Sequence, residues 1–171
     1  MAEISATMVK ELRELSGAGI MDCKRALENS GGDVAKAAEL LKAQGLAKAE
    51  KKAERTARQG LVDSYIHAGG RIGSMVEVNC ETDFVARTDD FKRLAHDIAM
   101  QVAATNPKVI GNESNPESST DGQDVADEDV LLKQPFIKDP SMSIEALVKN
   151  AIAKTGENIV IKRFARFELG M

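Results

Sequence analysis

Few side chains in this sequence have the type and spacing to do covalent chemistry. Cys23 and Cys80 are the thiols, and His67 and His96 the imidazoles. Cys80 with either histidine would make a nucleophile and a base, but no local signature surrounds such a pair. His67 has no Cys, His or carboxylate at metal-ligand spacing, so a surface or turn histidine is the simpler reading. The patterns GxxxxGK[ST], GxGxxG, HExxH, CxxC and GxSxG are absent. Gly69-Gly70 precedes a predicted strand and not a helix, so it is no phosphate cradle. The expectation is a protein that acts by binding, without cofactor or metal. The stretch best suited to that is Asn79-Cys80-Glu81-Thr82-Asp83-Phe84-Val85-Ala86. It sets an aromatic beside a carboxylate in a short connection after a strand, where side chains project from a rigid scaffold. In the competing reading Asp83 caps backbone and Phe84 closes the core; taken alone these residues favour it, because single aromatics are mostly buried.

The elements that must hold this corner follow from composition and periodicity. A chain of 171 residues that is 43% hydrophobic suits one domain, or a small one joined to a larger. A net charge of −4 argues against wholesale coating of nucleic acid. Two cysteines far apart in sequence read as reduced thiols. The start is polar and charged from Glu3 onward, and no segment approaches the ~20 apolar residues that span a bilayer. A cytoplasmic protein without membrane contact is expected.

Residues 1–46 read as a bundle of three short helices. Ser5 is the N-cap of the first, with Ile4 and Val9 as a hydrophobic staple and Met8, Leu12 and Leu15 inward. Ser16-Gly17-Ala18-Gly19 stops it. The second helix carries Cys23, Ala26 and Leu27 inward. Asp33 caps the third, with Val34, Ala37, Ala38 and Leu41 on its apolar side. So small a core suits a docking module better than an enzyme. Ile20 and Met21 stand beside the glycine turn, as core or as partner contacts. Residues 47–59 read as a solvated basic linker helix carrying Lys48, Lys51, Lys52, Arg55 and Arg58, an RNA contact being the alternative.

Residues 60–171 read as an α+β core: an antiparallel sheet of about three strands with helices packed on one face. Leu61 to His67 and Ile72 to Asn79 form a predicted hairpin. Thr88 caps a helix on which Phe91, Leu94, Ala95, Ile98, Ala99 and Val102 share a face, with His96 off the stripe. Ile110 to Asp129 holds seven acidic residues and no Lys or Arg; a mobile loop at about 107–129 is expected. Ser143 caps a further helix, Thr155-Gly156-Glu157-Asn158 makes a turn, and Ile159 to Leu169 forms the last strand.

Leu12 to Leu27 reads LRELSGAGIMDCKRAL, and Glu77 to Ala86 reads EVNCETDFVA. These two stretches resemble the first and second signatures of bacterial elongation factor Ts, in its short form. Leu131 to Phe136 and Gly156 to Ile159 match its C-terminal part. The resemblance covers nearly all of the chain except about 107–129. It implies an N-terminal domain similar to a ubiquitin-associated fold, and a guanine-nucleotide exchange factor that binds elongation factor Tu in its GDP-bound and nucleotide-free states. By the same resemblance, Leu12, Arg13, Ile20 and Met21 dock on the GTPase domain of Tu. Thr82, Asp83, Phe84 and Val85 take part in dislodging Mg²⁺ from Tu, with Phe84 as a wedge. Thr155 and Gly156 are a further contact, although the family more often has Ile where Thr155 stands. Short members can pair so that two copies make up one full core, which implies a homodimer here. An adaptor for ubiquitin-like proteins, or an RNA-binding protein acting through Lys48–Arg58, is the alternative; the adaptor leaves Asp83-Phe84 and Gln134-Pro135-Phe136 unexplained, and RNA binding would depend steeply on salt.

Overall fold

The computed structural model describes residues 4–111 and 126–170. The Ser5 hydroxyl accepts the Met8 amide at 3.3 Å and starts α1 (Ala6–Ser16), which Gly17 ends at φ 65°. Helix α2 (Ile20–Asn29) follows, and the Asp33 carboxylate, accepting the Lys36 amide at 3.0 Å, starts α3 (Val34–Glu50). Leu12, Cys23, Ala26, Leu27, Ala37 and Leu41 close a small core of their own between these helices. Leu15 departs from the expected inward stripe and is exposed. It faces the cleft between the bundle and the rest of the chain, together with Ala38, Leu94 and Ala151.

The separate linker helix expected at 47–59 is not formed. Helix α3 runs unbroken through Glu50, and turns occupy 51–54 before β1 (Gln59–Ile66) begins. The stretch is not simply solvated either, because α3 packs on α6 (Ile144–Thr155). A Cβ at Gly45 would lie 2.9 Å from the Cβ of Ala153, so the two helices approach there as closely as glycine permits. Ala49 is buried in the main core. The run of charges hid this, since one small residue per turn suffices to seat a helix on its neighbour.

β1 pairs antiparallel with β2 (Ile72–Cys80), and β2 with β5 (Val160–Glu168), giving the order β1-β2-β5. This is the α+β architecture expected. Between β2 and β5 lie α4 (Asp83–Ala86), α5 (Asp89–Thr105), β3 (Pro135–Phe136), β4 (Asp139–Ser143) and α6. Helix α5 covers one face of the sheet, burying Phe91, Leu94, Ala95, Ile98, Ala99 and Val102 against Val76, Val78 and Ile161. Val62, Ile66, Met75 and Phe167 remain exposed, on the other face by strand alternation.

The acidic segment differs from expectation at both of its described ends. Val109 and Ile110 are buried, the Lys108 amide donates to the Asp129 carbonyl at 2.8 Å, and Val109 bridges Val130. Two apolar residues in a polar run were enough to seat it. Residues 112–125 of the expected loop lie outside the described residues. The short β3–β4 hairpin was also unforeseen. Gln134, matched earlier as a motif residue, is structural: its side-chain oxygen accepts from Gln101 Nε2 at 3.1 Å and Thr105 Oγ1 at 2.7 Å, and its Nε2 donates to the Glu128 carbonyl at 2.6 Å. Buried Gln101 and Gln134 are thus satisfied.

A braced corner as candidate functional site

β2 ends at buried Cys80, and the chain turns at once. Thr82, in extended backbone, caps α4 by accepting the Val85 amide at 3.4 Å. Helix α4 has four residues. Thr88 ends it by donating its hydroxyl to the Val85 carbonyl at 2.7 Å, and caps α5 by accepting the Phe91 amide at 3.3 Å. Ala86 is buried and Val85 half-buried against the core. Phe84 points the other way and is 80% exposed. The core-closing reading of Phe84 is therefore wrong: Val85 and Ala86 fill that place, and a turn of helix sends their neighbour outward. Asp83 is half-buried and pairs with Arg87 at 2.8 Å, which leaves the carboxylate beside the ring but already partnered.

What holds the corner still is a residue from far along the chain. Glu157 Oε2 accepts the backbone amides of Glu81 at 3.1 Å and Thr82 at 3.0 Å, and its Oε1 accepts the Thr82 hydroxyl at 2.6 Å. The exchange is mutual, because Glu81 Oε1 accepts the Asn158 amide at 2.7 Å. Arg55 lies 3.6 Å from that same Glu81 oxygen. The turn carrying Glu157 is itself fixed: Gly156, at φ 79°, caps α6 by donating to the Ile152 carbonyl at 2.9 Å, and the Thr155 hydroxyl donates to the Ala151 carbonyl at 2.8 Å.

Of the residues expected to contact a partner, Thr82–Val85 and Thr155–Gly156 thus come together through Glu157. Gly156 is exposed and Thr155 half-buried, its hydroxyl engaged within the turn. Arg13, Ile20 and Met21 are exposed on the bundle. Leu12 does not share that exposure: it is completely buried in the bundle core. It sits one residue before an exposed arginine, and a signature read as a string does not separate the face that packs from the face left exposed. Glu157 and Asn158 went unread as functional because their partners are remote in sequence; the one local hint was a carboxylate directly after a positive-φ glycine.

Cys80 is no poised nucleophile. Burial pushes its thiol above the ordinary 9.0, the Glu157 charge adds to this, and Sγ donates to the Thr82 carbonyl at 3.1 Å. Both histidines instead gather at Tyr65, whose hydroxyl lies 3.2 Å from His67 Nδ1 and whose ring meets that of His96 edge-on. His96 is exposed as expected, 3.4 Å from the Asp63 carboxylate. Among the described residues no group of three or more His, Cys, Asp or Glu could hold a metal ion, and no helix is long and apolar enough to cross a membrane.

The family model described as Elongation factor TS matches residues 2–125. A protein of Syntrophomonas wolfei named Elongation factor Ts is 50% identical, the alignment covering 98% of this chain and 91% of that one. Its namesake in Thermoanaerobacter pseudethanolicus is 50% identical over 98% of this chain and 95% of its own, and that of Heliobacterium modesticaldum 48% identical over 98% and 90%. These likenesses define a translation elongation factor. Within that class, the chain belongs to the elongation factor Ts family.

Proposed function

We propose that this protein is the guanine-nucleotide exchange factor of elongation factor Tu, acting in the cytoplasm by binding alone and not as an enzyme. The observation that carries the reading is Phe84, a large apolar side chain 80% exposed at the end of a stiff strand–helix junction. An exposed aromatic mounted on such a junction is well placed to enter a pocket on a partner, as aromatic anchors of interfaces do. A nucleotide bound to Tu is held by phosphate-loop amides and by Mg²⁺, the largest local charge in such a site. A ring driven between elements beside that site displaces the ion's surroundings, and nucleotide affinity falls without any bond being made or broken. Arg13, Ile20 and Met21 on the bundle supply separate docking energy, so the factor grips one part of Tu while the corner opens another. The coupling is reciprocal: if the factor weakens nucleotide, nucleotide weakens the factor by the same ratio. Incoming GTP then expels the factor.

The deciding experiment is release of labelled GDP from Tu. The protein should accelerate it, and Phe84→Ala should lose most of that gain. No acceleration by the intact protein would end the reading.

A homodimer has its surface in the uncovered face of the sheet. Ile66, Gly73 and Phe167 stand in one cross-strand row, with Val62 and Met75 close by. A second copy laid on this face would cover that apolar area. Sedimentation of the intact chain against Phe167→Asp tests it, and equal monomeric masses for both would remove the dimer.

A further inference from the structure

We propose that Glu157 is the positioning residue of the exchange corner; the inference rests on the exchange-factor reading and deepens it. A helix of four residues cannot hold its own shape, because isolated helices shorter than ~12–15 residues are marginal in water. The packing of Val85 and Ala86 on the core holds one side of it, and the direction of Phe84 then depends on the backbone at Glu81 and Thr82, where the helix begins. Three donors converge on the Glu157 carboxylate there, the two amides and the Thr82 hydroxyl, within 2.6–3.1 Å. Spending the hydroxyl proton on Glu157 orients the Thr82 oxygen, which leaves a lone pair for the Val85 amide that opens α4. The same oxygen therefore cannot drift without loosening the helix that carries Phe84.

The requirement is for a carboxylate. An amide in its place has one oxygen, and its N–H group would confront a donor. Glu157 also follows Gly156 directly, so the brace joins the corner to the Thr155–Gly156 region, and the two meet a partner as one rigid body. Returned by Glu81 to the Asn158 amide at 2.7 Å, the contact closes on itself and resists shear along the sheet.

The test compares Glu157→Gln with Phe84→Ala and the double variant, using GDP release from Tu at saturating factor and binding to nucleotide-free Tu. Glu157→Gln should slow saturated release by about tenfold while changing the half-saturating concentration by less than about threefold. In the Phe84→Ala background it should cost nothing further, because both residues act through the same side chain. Thr82→Val, which leaves the charge in place, should lose part of the same rate. Faster hydrogen exchange at the Glu81 and Thr82 amides of Glu157→Gln, with the melting temperature close to wild type, would mark a loosened corner and not a damaged fold. A wild-type rate for Glu157→Gln, or equal losses with and without Phe84, overturns the assignment. If Phe84→Ala is itself fully active, the wedge reading falls and the assignment with it; if Phe84→Ala is inactive while Glu157→Gln and Thr82→Val are normal, only the assignment falls.

Discussion

The side-chain amide of Asn158 donates to the backbone carbonyl of Arg55 across 2.7 Å, and also to that of Ala53 at 3.2 Å. One buried side chain in the turn before β5 therefore fastens the segment that leaves the helical bundle.

Removing that amide should be costly out of proportion to its size. Asn158 is 2% exposed, and its loss strands two carbonyls. Asn158→Ala is expected to destabilise by about 1–3 kcal/mol, read from urea denaturation. Asn158→Asp should be worse, since it sets a carboxylate against two carbonyl oxygens. A midpoint unchanged in both would mean water satisfies the turn equally well.

The bundle offers a second contrast, between adjacent parts of one signature. Leu12→Ala should destabilise by about 2–5 kcal/mol, as core truncations do, because Leu12 is fully enclosed. Met21→Ala, at a side chain 64% exposed, should leave the melting temperature nearly unchanged and weaken binding to Tu. If Met21→Ala melted early and bound normally, the assignment of faces would be reversed.

Acid should act through capping and pairing carboxylates. The Lys36 amide holds Asp33 below the ordinary 3.8, and the hydrogen bond from Lys154 at 2.7 Å does the same for Asp90. For groups depressed in the fold, the stabilising contribution is present above the unfolded value of 3.8 and is lost as pH falls through the lower folded value. Their contribution to stability is therefore expected to be level above about pH 5 and to decline below 3.8. Asp90→Asn should make that decline shallower, measured by melting at a series of pH values; an unaltered slope would show the Lys154 pair to be irrelevant to it.

Alkali should act through Cys80. Its thiol is raised above 9.0 in the fold, so the unfolded chain ionises first and stability falls as pH rises from 9.0 through the folded value. At neutral pH the thiol should resist iodoacetamide in the native protein and react on unfolding. Rapid native alkylation would place Cys80 nearer the surface than its neighbours in the core allow.

Much of this fold was written in local signals. Ser5, Asp33, Thr88 and Ser143 each cap the helix assigned to them, because a cap depends on a residue and the three that follow it. Hairpin and helix stripes were equally readable. Distant pairing was not. Nothing near Glu157 announces that its oxygens are needed at Glu81 and Thr82, and nothing in the charged run after Gly45 announces α6 as its neighbour. The corner shows the limit most clearly: composition favoured a buried Phe84, and only the placing of Val85 and Ala86 decides which of three consecutive apolar side chains is left exposed.

The order β1-β2-β5 has a further consequence. A three-stranded sheet has two borders, and the borders of a sheet are where another strand can be templated. β5 carries Lys162, Arg163 and Arg166, with Arg163 paired to Glu77 and Arg166 to Glu168, whereas Gln59–Ile66 contains neither Lys nor Arg. The β1 border thus lacks basic residues, and its one charge, Asp63, accepts the Ser64 amide at 2.7 Å. At high concentration, ribbon-like self-association should begin there, and a single lysine at Val62 should delay it.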